Sequence, residues 1–266
     1  MAENKIYDER EKLKDKRVPE KTSETRSSTV SFFVLIRGRN CSKTIEKCLR
    51  SLRRQTYPYW RALVALDAPE DNSVEVTKKI LKNDGRFVLV ENHVHLGLCH
   101  NMFSIISVAD WYMKAQNEEV IAFLDSDDFL PKNALAIVER TYRKHPGTLI
   151  THGSYVKMSK RRKTRISRPN PKKGNIRRLP WRSSHLKTVK WKILKNMKSG
   201  WFIHKGKWLK AASDLAVMFP CIELAGLNRV RFIPNITYYW NDNVTKKKRT
   251  IQKKCERILR ERRPVA

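Results

Sequence analysis

The chain has no apolar run approaching the roughly 18 to 20 residues needed to span a bilayer, so no transmembrane helix is expected. Its opening residues, MAENKIYDEREKLKDKR, contain no apolar core of the kind a secretory signal carries. Cysteine is scarce and odd in number: Cys41, Cys48, Cys99, Cys221 and Cys255, with no CxxC pair among them. Neither a disulfide framework nor a zinc site follows from that spacing. A reduced, cytoplasmic protein is expected, peripheral on a membrane face if it meets a membrane at all. On that reading the sequons at Asn40, Asn235 and Asn243 are chance matches. Acidic residues are missing altogether between Glu139 and Asp214.

What is present is positive charge. The 266 residues carry a formal net charge of +31, with 40% hydrophobic and 31% charged residues. That length can bury a sizeable core, and the composition fits a soluble globular fold with a very basic surface. Residues 1–28 mix acids and bases without aliphatic periodicity and read as a charged, disordered leader. A globular domain is expected over 29–245, with a basic loop at 157–182, KMSKRRKTRISRPNPKKGNIRRLPWR. The tail, 246–266, reads as a basic helix whose Ile251, Cys255, Ile258 and Leu259 form a narrow apolar stripe. Such charge calls for an anionic partner: nucleic acid, an acidic membrane surface or a phosphorylated substrate.

Along the domain, short apolar runs alternate with helical patterns. VSFFVLI (30–36), RALVAL (61–66), RFVLV (86–90), VIAFL (120–124) and TLITHGSYV (148–156) read as strands. SKTIEKCLRSLRRQ, with Ser42 as N-cap, a segment through Val76, Ile80 and Leu81, LCHNMFSIISVADWYMKA, and NALAIVERTYRKH read as helices. This alternation predicts an α/β fold with a mostly parallel sheet flanked by helices. Ligands of such sheets bind at the carboxyl ends of the strands. Polar clusters stand at those ends: Arg37 to Asn40, Asp67 to Asn72, and Asp125 to Asp128.

The last cluster packs three carboxylates into four positions. Residues two apart in an extended segment point the same way, so Asp125 and Asp127 project to one side. Left alone, each raises the other's pKa. A divalent cation removes that cost, and Mg²⁺ or Mn²⁺ takes one or two carboxylates together with substrate phosphate oxygens. The alternative is that Asp128 or a neighbour caps the helix after Pro131, for which one Asp suffices. Asp67 suits a hydrogen bond to a base or ribose; the alternative is an Asx turn, which Asp71 and Asn72 fit better.

In this order, VSFFVLIRGRNCSKTIEKCLRSLRRQTYPYWRALVALDAPEDNS, HLGLCHN and LDSDDFLP resemble the family 2 glycosyltransferases of the GT-A fold. The likeness covers about residues 30–150 well and runs more loosely to about 240. It implies a single GT-A domain, with a nucleotide-sugar half at about 29–150 and an acceptor half at about 151–245. It implies a nucleoside diphosphate sugar as donor and a divalent metal, Mn²⁺ or Mg²⁺, as cofactor. Asp67 matches the acid that contacts the base, Asp125 the acid near the ribose, and Asp127 the metal ligand on the diphosphate. The first turn departs from the family, with Arg39 where an aromatic often stacks on the base and Arg37 where Pro or Thr is common. A guanidinium also stacks on a base, so both are counted as donor-binding residues. Leu66 replaces the first acid of the family's usual pair.

In the second half, SSHLKTVKWKIL resembles the segment lining the donor-sugar pocket, which brings in His185, otherwise a structural histidine. SDLAVMFPCIELAG resembles the acidic helix start, with Asp214 at the catalytic-base position. The alternative makes Asp214 a helix cap, with Glu223 a surface acid. Trp181, Trp191, Trp201 and Trp208 are expected mostly in the core. The expected activity is inverting transfer of a sugar to an acceptor hydroxyl on a glycan, a lipid-linked molecule or a protein. A nucleic-acid-binding protein, a DNA-glycosylating enzyme and a GT-A pseudoenzyme are the rival readings.

Overall fold

A computed structural model describes residues 29–111, 114–158, 163–165, 167–241 and 245–265. The leader, part of the basic loop and the sequon at Asn243 lie outside the described residues. The elements in chain order are β1 (Phe32–Gly38), α1 (Ile45–Arg53), β2 (Trp60–Asp67), α2 (Ser73–Leu81), β3 (Phe87–Asn92), α3 (Leu98–Trp111) and β4 (Val120–Asp125). Then come α4 (Ala134–Lys144), β5 (Ile150–Lys157), β6 (Lys163–Arg165), β7 (Thr188–Lys190) and α5 (Trp191–Leu194). A small ribbon of β8 (Ile203–His204) and β9 (Lys207–Trp208) precedes α6 (Ser213–Ala225), β10 (Val230–Trp240) and α7 (Lys246–Arg260).

The main sheet runs β10-β5-β7-β4-β1-β2-β3, with β6 paired to β5. The pairs β1/β2, β1/β4, β2/β3 and β5/β10 are parallel, while β7 is wedged antiparallel between β4 and β5. The continuous apolar run of β1 is explained by cover on both faces. Phe33 and Leu35 point into a core shared with α3, α6 and α7, whereas Phe32, Val34 and Ile36 point into one shared with α1 and α4. Strand order 3-2-1-4 reverses between β1 and β4, and their register sets Arg37 beside Asp125. That pair occupies the switch point, where open α/β sheets form their ligand crevice.

One expectation changes and one alternative falls away. Helix α1 is capped by Thr44 without a side-chain bond, and Ser42 instead gives its N–H to Asp71. Asp128 caps no helix: its carboxylate accepts from the Tyr238 hydroxyl at 2.7 Å and the Asn241 N–H at 2.6 Å. The choice at Asp128 follows from its burial, because the end of β10 pairs with the turn after β4 and offers donors there.

The apolar stripe of α7 faces inward. Cys255 and Leu259 are buried, and Ile251 and Ile258 pack on the core that includes α6. Glu223 is not a surface acid. It forms a two-pronged ion pair with Arg177, at 2.6 Å to Nε and 2.9 Å to Nη2, with the two side chains 3% and 6% exposed.

Candidate active site

Three chain segments far apart in sequence meet at the switch point. The β1 end supplies Arg37, whose Nε donates to Asp125 Oδ1 at 2.9 Å. Its Nη1 donates to Ser213 Oγ at 2.7 Å and to the Leu98 carbonyl at 3.3 Å. One guanidinium therefore ties β4, the start of α3 and the start of α6 together. Asp214, in the first turn of α6, stands 3.2 Å from Lys187 Nζ, which reaches over from the residue before β7 and is itself 6% exposed. A helix N-terminus favours a carboxylate, and the lysine adds a full charge.

The two carboxylates respond alike. Burial alone would raise Asp125, but Arg37, with smaller help from Lys187, holds it below the usual carboxylate range. Burial would raise Asp214 too, and Lys187 holds it below. His185 neighbours both, its ring stacked 4.4 Å from that of Tyr238. Burial first, and then Lys187, push its pKa down to about 3, so the imidazole is neutral near pH 7.

Asp127 differs. Its side chain is exposed at the mouth of the site, and partial desolvation and Asp125 raise its pKa. No cation is bonded to it among the described residues. Asp128, behind it, is pushed up to about 8 by burial and by Asp125 and Asp127. A divalent ion beside Asp127 would relieve this crowding, so the residues fit such an ion held by one carboxylate and phosphate oxygens. Among the described residues no group of three or more His, Cys, Asp or Glu gathers into an all-protein cage.

The second strand end is built differently. Asp67 is 3% exposed, and its oxygens accept from the N–H groups of Leu96 at 2.8 Å and Gly97 at 2.9 Å. His95 Nδ1 lies 2.8 Å away and Asn92 Nδ2 at 3.4 Å. Its carboxylate is thus engaged in fixing the 92–97 loop. Asp71, as its position suggested, makes the Asx-type turn, accepting the Ser73 N–H. Arg39 bridges the first two strand ends, with Nη2 2.7 Å from Glu70 Oε1 and Nε on the Ala68 carbonyl. Gly38 is required by closeness: a Cβ there would lie 2.4 Å from Ser126 Oγ.

Of the residues singled out in the sequence, Arg37, Asp125, His185 and Asp214 converge, with Asp127 beside them, while Asp67 and Arg39 frame a neighbouring edge. Lys187, Ser213 and Tyr238 were missed. Among the tryptophans, Trp191 is buried and Trp181 packs edge-on to Phe219. Trp208 stacks on His100 at 4.1 Å and 6°.

An α/β sheet with an acid-lined crevice at its switch point defines a class of nucleotide-binding enzyme folds. The glycosyl transferase family 2 model matches residues 33–206, and the chain belongs to that family. No curated protein matches it in sequence. Among solved structures, S. aureus TarS 1-349 in complex with UDP-GlcNAc is 18% identical, with a TM-score of 0.63, over 83% of this chain and 61% of that one. The mannosyltransferase PcManGT from Pyrobaculum calidifontis, in complex with GDP-Man and Mn²⁺, is 16% identical, with a TM-score of 0.54, over 89% and 63%. These likenesses establish the GT-A fold. The chain spans about 60% of the length of the TarS 1-349 chain.

Proposed function

We propose that this protein is a metal-dependent, inverting glycosyltransferase that moves a sugar from a nucleoside diphosphate donor to an acceptor hydroxyl. The observation that carries this reading is the pairing of each half-buried site acid with its own, more deeply buried cation, Asp125 with Arg37 and Asp214 with Lys187, beside an exposed Asp127.

Asp127 would hold Mg²⁺ or Mn²⁺, which when bound offsets negative charge on the diphosphate. Asp125, kept ionised by Arg37, is set to accept from ribose hydroxyls. Arg39, Asp67 and Asn92 frame the place of the base, with Asp67 acting through the loop it fixes. Neutral His185 suits hydroxyl groups of the donor sugar, donating or accepting one hydrogen bond without adding charge.

Asp214 is the base. As the acceptor oxygen bonds to the anomeric carbon, its proton passes to the Asp214 carboxylate. The bond from that carbon to the diphosphate oxygen breaks, its electron pair leaving with the diphosphate. Attack from the face opposite the leaving group inverts the centre. Because Lys187 keeps Asp214 ionised, the base is ready at neutral pH, and such a base contributes about a hundred- to ten-thousand-fold in rate.

The acceptor class is a glycan, a lipid-linked molecule or a protein, in a cytoplasmic setting. No described helix is long and apolar enough to cross a membrane. With the α7 stripe turned inward, any anionic membrane surface would be met through charge alone, by exposed Lys246, Lys247, Lys253 and Lys254 and by the 167–182 segment. Such attraction falls as salt rises. Equal sedimentation with anionic and neutral vesicles would remove the membrane version. The test of the activity is a screen of nucleotide sugars for hydrolysis and transfer with Mn²⁺, Mg²⁺ and chelator. Turnover of one donor that chelator stops is expected; turnover indifferent to chelator refutes the metal.

A further inference from the structure

The turn that delivers Asp214 has an unusual backbone. Ala212, the residue before α6, sits at φ 62° and ψ 30°, a left-handed conformation that a side chain disfavours. It is 3% exposed, so its N–H is cut off from water. A non-glycine residue stays in such a conformation only where its surroundings over-determine it. Here the surroundings include a residue forty positions away. Gln252 Oε1, on α7, accepts the Ala212 N–H at 2.9 Å.

Ala212 sets the direction of the next two side chains. Its carbonyl accepts the first helical bond, from the Ala216 N–H at 3.0 Å. Ser213 then meets Arg37, and Asp214 meets Lys187 at 3.2 Å. Without a partner for the Ala212 N–H, a buried donor is left unsatisfied. The turn can then relax toward negative φ, which swings Asp214 away from Lys187. Helix α7 is firmly placed to prevent this: Leu259 is buried, and Arg260 Nη1 donates to the carbonyls of Arg177 at 2.7 Å and Leu179 at 3.0 Å. Ala212, Asp214 and Gln252 all lie beyond the stretch matched by the family model, residues 33–206.

The geometry points to Gln252 as a positioning residue for the base: the tail helix completes the active site by holding the left-handed turn at Ala212. This rests on the reading of Asp214 as the base, which is why both residues enter the test. In the full-length protein, Gln252→Met keeps length and bulk but removes the acceptor, whereas Gln252→Glu keeps an oxygen in place. Misplacing a reacting group by about an ångström costs on the order of a hundredfold, so Gln252→Met should lower kcat by about ten- to a hundredfold. Donor KM should stay within about twofold, because Asp125, Asp127 and Arg39 are untouched. The acid limb of kcat should move to higher pH, since burial then acts on Asp214 with less opposition from Lys187. Gln252→Glu should recover kcat to within about threefold on the same reasoning.

If Gln252→Met does not fold, Gln252→Asn withdraws the oxygen by one methylene and carries the same expectations. Equal loss in the Met and Glu variants, with the acid limb unmoved, would make Gln252 a packing residue only and overturn the proposal. So would wild-type kcat in Gln252→Met beside a dead Asp214→Asn. Wild-type transfer by Asp214→Asn would instead remove the base reading itself, and the proposal with it.

Discussion

Changing Glu223 to glutamine should cost stability rather than chemistry. Glu223 Oε1 and Oε2 accept hydrogen bonds from Arg177 Nε and Nη2 at 2.6 and 2.9 Å, and Oε2 also accepts the Val265 N–H at 3.0 Å. The remaining arm of Arg177 donates to the Leu259 carbonyl at 2.6 Å. The pair therefore joins α6 to the loop before β7 and to the tail. A carboxamide offers the guanidinium one acceptor and one repelling amide, and it leaves a buried cation without its counter-charge. Removing one partner of a buried pair costs about 3–5 kcal/mol. For a domain of this size each kcal/mol is worth about 2–4 °C, so Tm should fall by roughly 6–20 °C. Circular dichroism melts of wild type, Glu223→Gln, Arg177→Met and the double variant Arg177→Met/Glu223→Leu test this. The double variant should be less damaged than either single one, because no lone charge remains. A Glu223→Gln melt within about 2 °C of wild type would refute the reasoning. Glu223 lies nine residues beyond Asp214, about 13 Å along the helix, so folded Glu223→Gln should transfer sugar far better than Asp214→Asn.

Asp127→Asn should abolish donor turnover while its Tm stays near wild type, since the side chain is exposed; a variant active in chelator would sink the metal assignment. Lys187→Met should shift the acid limb of kcat upward. The sign follows from Asp214: its folded pKa is depressed, so its pair with Lys187 stabilises above the unfolded pKa and is lost as pH falls through the folded one. With the lysine gone, burial raises the carboxyl, and a pH–rate profile that does not move would show that Asp214 is not the titrating base.

Much of the fold was legible because its signals are local. The β1 run of Phe32 to Ile36 is apolar at every position since both faces are covered, and that pattern survives without knowing what covers it. The short β7 was not legible: Thr188–Lys190 is too brief to show a period, and only its neighbours β4 and β5 make it a strand. Helical spacing disclosed the α7 stripe but not its partner, the core that includes α6. Lys187 was hidden for a related reason. In a segment without acids it reads as one more surface cation, and its partner, Asp214, lies 27 residues on. The partner of Glu223, Arg177, was hidden likewise, 46 residues before it.

The charge balance of the site explains why its aspartates divide their roles. A desolvated carboxylate must be paired or it protonates instead. Asp125 and Asp214 are paired internally, with Arg37 and Lys187, so both are ionised and neither calls for another cation. Asp128 takes the other course: with its oxygens bonded to Tyr238 and the Asn241 N–H and its pKa pushed up to about 8, it is mostly neutral near pH 7. His185, pushed down to about 3, contributes no charge. The carboxylate left without an internal partner is that of Asp127, whose side chain is exposed. The strongly basic surface does not cancel its charge, because exposed lysines act through water with a high dielectric constant. On the proposed reading, the position that would accept a cation is therefore the acid the fold leaves unmatched, while Asp125 and Asp128 of the same motif would serve binding and scaffolding and Asp214, on α6, proton transfer.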